Sequence, residues 1–242
     1  MNETPRRTIV AHNLYSAHLR EERTVKIYLP PESPARYPLP VLYCHDGNEF
    51  FTHGRIATIA HERITDGRLP PFAVVGIAVH PPRRTDDYSM TGDRHEQYVR
   101  FVAEECLPFI EKQHPELGQT AARRGMAGVS LGAVATIGAL LMFPDLWERA
   151  ILLSGAFLAE ARARIDQSAS LAGRRLCMRV GLQESSAKTP AGTHDFLTAN
   201  RQARDLFVAC GAQVDYAEED GAHIWGFWQS QLPTALAWFT GP

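Results

Sequence analysis

The chain has 242 residues, 45% hydrophobic and 21% charged, with a formal net charge of −2. This composition fits a single α/β domain able to bury a sizeable core, and its charge balance gives no reason to invoke nucleic acid or an anionic membrane. No apolar run approaches the roughly 18 residues of a membrane span. Met1 to Val10 carries Arg6 and Arg7 with no apolar stretch behind them, so it does not read as a secretory signal, and a cytoplasmic protein is expected. Cys44, Cys106, Cys177 and Cys210 are widely spaced in apolar segments. They read as buried reduced thiols, with two disulfides the alternative, and no C-x-x-C pair suggests zinc.

Two strands open the chain and are expected to form an antiparallel edge. In Thr24 to Leu29, Val25, Ile27 and Leu29 alternate inward until Pro30-Pro31 ends the run. Val41 to Cys44 and Phe72 to Val79 are continuous apolar runs, the pattern of strands covered on both faces. Asp93 with Glu96 reads as a capping box for a helix carrying Tyr98, Phe101, Val102, Phe109 and Ile110 on one face. Pro108 predicts a kink or an early stop there.

Met126-Ala127, Ala150 to Leu153, Leu176 to Val180 and the shorter Gln213 to Ala217 continue the strand series. Helices are predicted over Leu131 to Phe143, Asp195 to Cys210 and Trp228 to Phe239. Strands alternating with helices imply a mostly parallel sheet covered on both faces, with no repeat or linker to divide the chain.

Gly128-Val129-Ser130-Leu131-Gly132 is a G-x-S-x-G sequence between a strand and a helix. That context suits a nucleophile elbow, which holds a serine hydroxyl proud of the backbone beside a base. Of ten histidines, only His194 and His223 follow Ser130. His223, in a glycine-containing loop between the last strand and last helix, is the candidate base; His194 reads as a surface or capping residue. Glu184, after the strand ending at Val180, is the candidate acid. Asp195 is its competitor and equally a helix N-cap, and Asp220 ranks below both. For the oxyanion, the N–H of Leu131 is one expected donor and that of Gly47 or Asn48, after the strand at Val41, the other. His45 and Asp46 read as a polar loop beside the site.

Four stretches carry a resemblance. Val41-Leu42-Tyr43-Cys44-His45-Asp46-Gly47, Arg83-Arg84-Thr85-Asp86-Asp87-Tyr88, the elbow from Met126 to Ala133, and Gly221-Ala222-His223-Ile224-Trp225-Gly226-Phe227-Trp228 occur in that order. Together they resemble the putative-esterase family of α/β-hydrolases, which includes esterase D, enterochelin-type esterases, feruloyl esterases and mycolyltransferases. Ala133 stands where a glycine is common in that family, and Glu184 where many members have aspartate.

The resemblance implies an α/β-hydrolase fold and acyl transfer to water through an acyl-serine. Ser130 would be the nucleophile, His223 the base and Glu184 the orienting acid, with a Ser-His dyad as a variant. Arg84 and Tyr88 would line the pocket entrance; separately, the residues themselves offer Trp225, in the aromatic cluster with Phe227 and Trp228 after the base, as an apolar wall or an anchor for the last helix. A small-molecule ester is the implied partner, no metal or organic cofactor is implied, and a homo-oligomer is left open.

Rival readings fare less well on the residues. A metal-dependent hydrolase would want H-E-x-x-H or H-x-H-x-D-H, and neither occurs. A non-catalytic binding protein would be expected to have lost the serine or the histidine. An acyltransferase differs only in which acceptor reaches the acyl-enzyme, which spacing does not encode.

Overall fold

The computed structural model describes residues 6–31, 38–167 and 170–241. Met1–Pro5, part of the N-terminal stretch considered above, lie outside them. The chain opens with β1 (Thr8–Ser16), β2 (Glu21–Leu29) and β3 (Val41–Cys44), followed by α1 (Gly47–Thr52), α2 (Ile56–Thr65) and β4 (Ala73–Ile77). Next come α3 (Arg84–Tyr88), α4 (His95–Arg100) and α5 (Leu107–Gln113), then β5 (Arg124–Val129), α6 (Leu131–Met142), β6 (Arg149–Leu153) and α7 (Ala159–Gln167). The chain continues through β7 (Arg175–Gly181), β8 (Ala187–Thr189), β9 (Gly192–His194), α8 (Phe196–Ala209), β10 (Gln213–Glu219) and α9 (Trp225–Thr240).

Eight strands make one sheet in the order β1-β2-β4-β3-β5-β6-β7-β10. β1, β2 and β4 pair antiparallel, while β4, β3, β5, β6, β7 and β10 run parallel. This is the α/β-hydrolase fold expected from the sequence, with the opening strands at the antiparallel edge.

The period of two along each strand feeds two cores. Val41, Tyr43, Met126, Ala150, Leu152, Leu176 and Met178 point to the face covered by α4 to α8. Leu42, Cys44, Ala127, Val129, Ile151, Leu153 and Cys177 point to the other, which α2 and α9 close with Ile56, Ala60, Leu232 and Phe239. Burial on both faces explains why these strands read as unbroken apolar runs. All four cysteines are free thiols. No helix among the described residues is long and apolar enough to cross a membrane.

Two local expectations are corrected. The Asp93 capping box does not form: α4 starts after Arg94 with no side-chain cap, and the Arg94 guanidinium turns instead to Asp87 and Glu21. Pro108 neither kinks the chain out nor stops the helix. It sits in the first turn of α5, directly behind a π-helical stretch, Phe101–Cys106. The wider π turn absorbs the missing N–H and the ring that an α-turn would reject.

His45, just past β3, is buried with Nδ1 2.7 Å from the Tyr98 hydroxyl. Burial first, then the charges of His95 and Arg84, push its pKa from the ordinary 6.5 down to about 3. Between those values the unfolded chain binds a proton that the fold refuses, so stability is full above pH 6.5 and is withdrawn as the pH falls toward 3. The expected contribution is up to about 1.4 kcal/mol per pH unit. In urea unfolding between about pH 6 and 5, above most carboxylate titrations, His45→Gln should flatten the slope of stability against pH. An unchanged slope would count against this account.

Candidate active site

β5 ends at Val129 and α6 begins at Leu131, so the whole reversal falls on Ser130. Its φ of 52° and ψ of −120° lie where a non-glycine residue is strained. The turn is tied from both sides: Ser130 N–H donates to the Leu153 carbonyl at 2.9 Å, while Ala133 and Ala156 N–H donate to the Ser130 carbonyl at 3.1 and 2.9 Å. A Cβ on Gly128 would meet the Gly132 carbonyl at 2.2 Å, so the turn closes only without a side chain there. The hydroxyl is left standing at the carboxyl edge of the parallel strands.

The loops after β7 and β10 bring two more groups to that edge. His223 Nε2 lies 2.9 Å from Ser130 Oγ, and His223 Nδ1 lies 2.7 Å from Glu184 Oε2. Glu184 is fully buried and its other oxygen is also saturated. Oε1 accepts from the Ser154 hydroxyl at 2.6 Å and from Gly181 N–H at 2.8 Å. Ser154 Oγ in turn accepts from Trp228 Nε1 at 2.9 Å. A buried carboxylate is costly unless its oxygens find donors, and here both do.

The competing acids are engaged elsewhere. Asp195 caps α8, accepting from Thr198 N–H at 2.9 Å, and Asp220 accepts from Gln183 Nε2 at 2.8 Å. The His223 ring is further confined by Phe196, stacked at 4.0 Å and 8°, and by Trp228, edge-on at 5.0 Å. His194 closes the short β8–β9 hairpin on α8, where its ring meets Phe196 rather than Ser130.

Leu131 is the first residue of α6, and Gly47 and Asn48 are the first two of α1, positions whose N–H groups have no partner within their own helix. β3 and β5 are neighbours in register, Cys44 opposite Ala127, and His45 N–H donates to the Ala127 carbonyl at 3.0 Å. The turns that follow these strands therefore emerge side by side. Gly47 is needed for packing: a Cβ there would meet the Gly76 backbone of β4 at 2.2 Å.

The fold that carries this arrangement is matched by known proteins. The chain matches the family described as Putative esterase over residues 16–239. The chain belongs to that family. It is a carboxylic ester hydrolase, and its substrates are accordingly small-molecule esters. The uncharacterized protein YjcH of Bacillus subtilis (strain 168) is 26% identical over 231 residues, covering 95% of this chain and 96% of the relative. A solved ferulic acid esterase superposes with a TM-score of 0.80 at 17% identity over 98% of both chains. The enterobactin esterase FES from Shigella flexneri gives 0.81 at 20% identity, covering 97% of this chain and 60% of that one. At these identities the structural likeness is one of fold.

The pocket residues expected in the esterase divide differently. Tyr88 does not line a pocket: it is fully buried and its hydroxyl accepts the Asp46 N–H at 2.8 Å. Arg84 is turned to Asp46, donating from Nε and Nη2 at 2.7 and 2.8 Å. Both are drawn off by a carboxylate turn that the sequence reading left without a role. Trp225 is half-buried against Phe50 and Trp228, with ring centroids at 5.3 and 5.2 Å.

Sequence reasoning missed Ser154 and Phe196, which touch Glu184 and His223 only through the fold. It also missed Leu182 and Ile224, exposed apolar residues that flank Glu184 and His223 in the chain. A signal for the last two was available, because an apolar residue in a polar loop beside a candidate base is unusual.

Removing the Ser154 hydroxyl strips one donor from buried Glu184 and orphans the Trp228 indole N–H. Ser154→Ala should therefore lower unfolding free energy by roughly 1–3 kcal/mol in urea titration, and an unshifted midpoint would contradict the hydrogen-bond assignment.

Proposed function

We propose that this esterase works through an acyl-serine intermediate. Ser130 Oγ attacks the ester carbonyl carbon as His223 Nε2 removes its proton. Glu184 Oε2 accepts the Nδ1–H, which selects the tautomer with a free Nε2 lone pair and stabilises the imidazolium formed on proton transfer. The carbonyl oxygen, now carrying negative charge, takes N–H donors from Leu131 and from the Gly47-Asn48 turn. His223 then gives its proton to the alcohol oxygen, the C–O bond breaks, and the alcohol leaves. Water, deprotonated by His223, attacks the acyl-serine in the same way, and the proton returns to Ser130 as the acid departs.

The observation that carries this reading is the unbroken chain from Ser130 Oγ through both His223 nitrogens to Glu184, at 2.9 and 2.7 Å, with the serine at a positive-φ turn. Phe196 supports the same reading, since a ring stacked on His223 at 4.0 Å favours the imidazolium that the first step creates. Leu182 and Ile224, both exposed and close in the chain to Glu184 and His223, with half-buried Trp225, would offer an apolar rim to the substrate. Proteins that share the fold are named for ferulic acid and enterobactin, and an aromatic ester such as a feruloyl ester is a fitting first probe for that rim.

Ser130→Ala should abolish hydrolysis of a short-chain p-nitrophenyl ester while leaving the circular dichroism spectrum intact. Activity near that of the unaltered enzyme would sink the mechanism. Glu184→Gln should lower kcat on the order of 10³- to 10⁴-fold through the wrong histidine tautomer. Asp195→Asn, at a surface cap, should change kcat little. The reverse ordering would move the acid.

A further inference from the structure

Asp46 occupies the position before α1 where an aspartate ordinarily accepts the second or third helical N–H. It does not cap. Its backbone is left-handed, φ 51° and ψ 46°, and no side-chain cap bond is made. Both carboxylate oxygens go to Arg84, at 2.7 and 2.8 Å, and the side chain is almost fully buried. The carboxylate lies against the elbow, for a Cβ on Gly132 would come within 3.1 Å of Asp46 Oδ2. An acidic side chain thus stands beside both turns that would hold the oxyanion, paired with one guanidinium.

Arg84 is itself well held. Arg84 and Tyr88 are four apart on α3 and face the same way. The guanidinium sits 5.1 Å from the Tyr88 ring centroid while the Tyr88 hydroxyl takes the Asp46 N–H. Between them, fully buried Asp87 bolts α3 to the body of the fold, accepting from Arg23 of β2 and from Arg94. His95 Nδ1 lies 3.1 Å from the Asp87 carbonyl.

We propose that Arg84 is a positioning residue for ester hydrolysis: by taking both oxygens of Asp46, it keeps that carboxylate from capping α1 and leaves the Asn48 N–H to the oxyanion. This rests on the acyl-serine reading above and adds a reason for the Asp46 turn. Asn48 and Glu49 are the second and third helical residues, the donors a capping Asp46 would draw on, and Asn48 is the one of them that also serves the oxyanion, whereas Gly47 is not a capping donor. Released from Arg84, the carboxylate would take a donor the reaction needs and place a negative charge beside another one forming. Arg84 also neutralises that charge while it is held.

The test compares Arg84→Ala with Arg84→Ala/Asp46→Gly, in which glycine keeps the positive φ and has no carboxylate to release. With p-nitrophenyl acetate, Arg84→Ala should lose on the order of 10²-fold in kcat, as for one lost oxyanion donor, with KM little changed. Its Ki for a trifluoromethyl ketone, whose adduct with Ser130 carries the oxyanion, should weaken by a similar factor. The double variant should recover most of both losses. Should the alanine variant not fold, Arg84→Lys and its Asp46→Gly double serve for the same comparison, with a smaller loss and the same recovery.

A double variant as slow as Arg84→Ala would overturn the proposal. So would a rise in KM at unchanged kcat, which would mean that Arg84 contacts substrate. Failure of the underlying reading looks different: the unaltered enzyme would then show no covalent adduct at Ser130 with a p-nitrophenyl phosphonate.

Discussion

The site hangs on one backbone reversal. Ser130 is held at positive φ, in a conformation that costs on the order of 1–3 kcal/mol, because the strand and helix on either side leave it no alternative. β5 is central in the sheet and fully buried, and α6 packs back over it within one residue. The parallel register then does the rest. Loops leaving β3, β6 and β7 at the same edge arrive beside the serine because their strands are locked to β5 and to one another. Ser154, at a second positive-φ turn after β6, is delivered by the same geometry that delivers Ser130.

Two buried carboxylates frame this edge and are handled in opposite ways. Glu184 is surrounded by neutral donors: a serine hydroxyl, a backbone N–H and an imidazole. That leaves no cation on it, and its Oε2 is turned on His223. Asp46 is matched by a guanidinium that takes both its oxygens, so little of its field reaches the elbow. The difference is chemical rather than positional: one carboxylate meets only uncharged donors, the other a guanidinium. A third, Asp87, shares Arg23 and Arg94 and holds α3 in place behind them.

Much of this was legible because it is local. Continuous apolar runs gave β3 and β6 to within a residue, since strands buried on both faces admit nothing else. The G-x-S-x-G context pointed to Ser130, and chain order left His223 as the histidine in a loop past the last strand. Glu184 was chosen over Asp195 from its place after β7, and it is the one within reach of the imidazole. The misreadings were non-local. Pro108 read as a breaker because a π turn cannot be seen in residue types, and Asp93 read as a cap because Arg94's distant partners could not be seen at all. Tyr88 read as a pocket residue for the same reason: nothing near it in the chain announces Asp46, which also takes Arg84.

By itself, then, the sequence determined the alternation of strand and helix, the elbow serine, its histidine and a short choice of acids. Each of these follows from periodicity or from the few residue types a turn tolerates. Tertiary structure alone decided which oxygen meets which nitrogen. Ser154 reaches Glu184 across 30 residues of chain and Trp228 reaches Ser154 across 74, and Phe196 reaches the His223 ring from α8. A carboxylate acquires its role from the donors around it, and those donors are gathered only when the sheet has set its register.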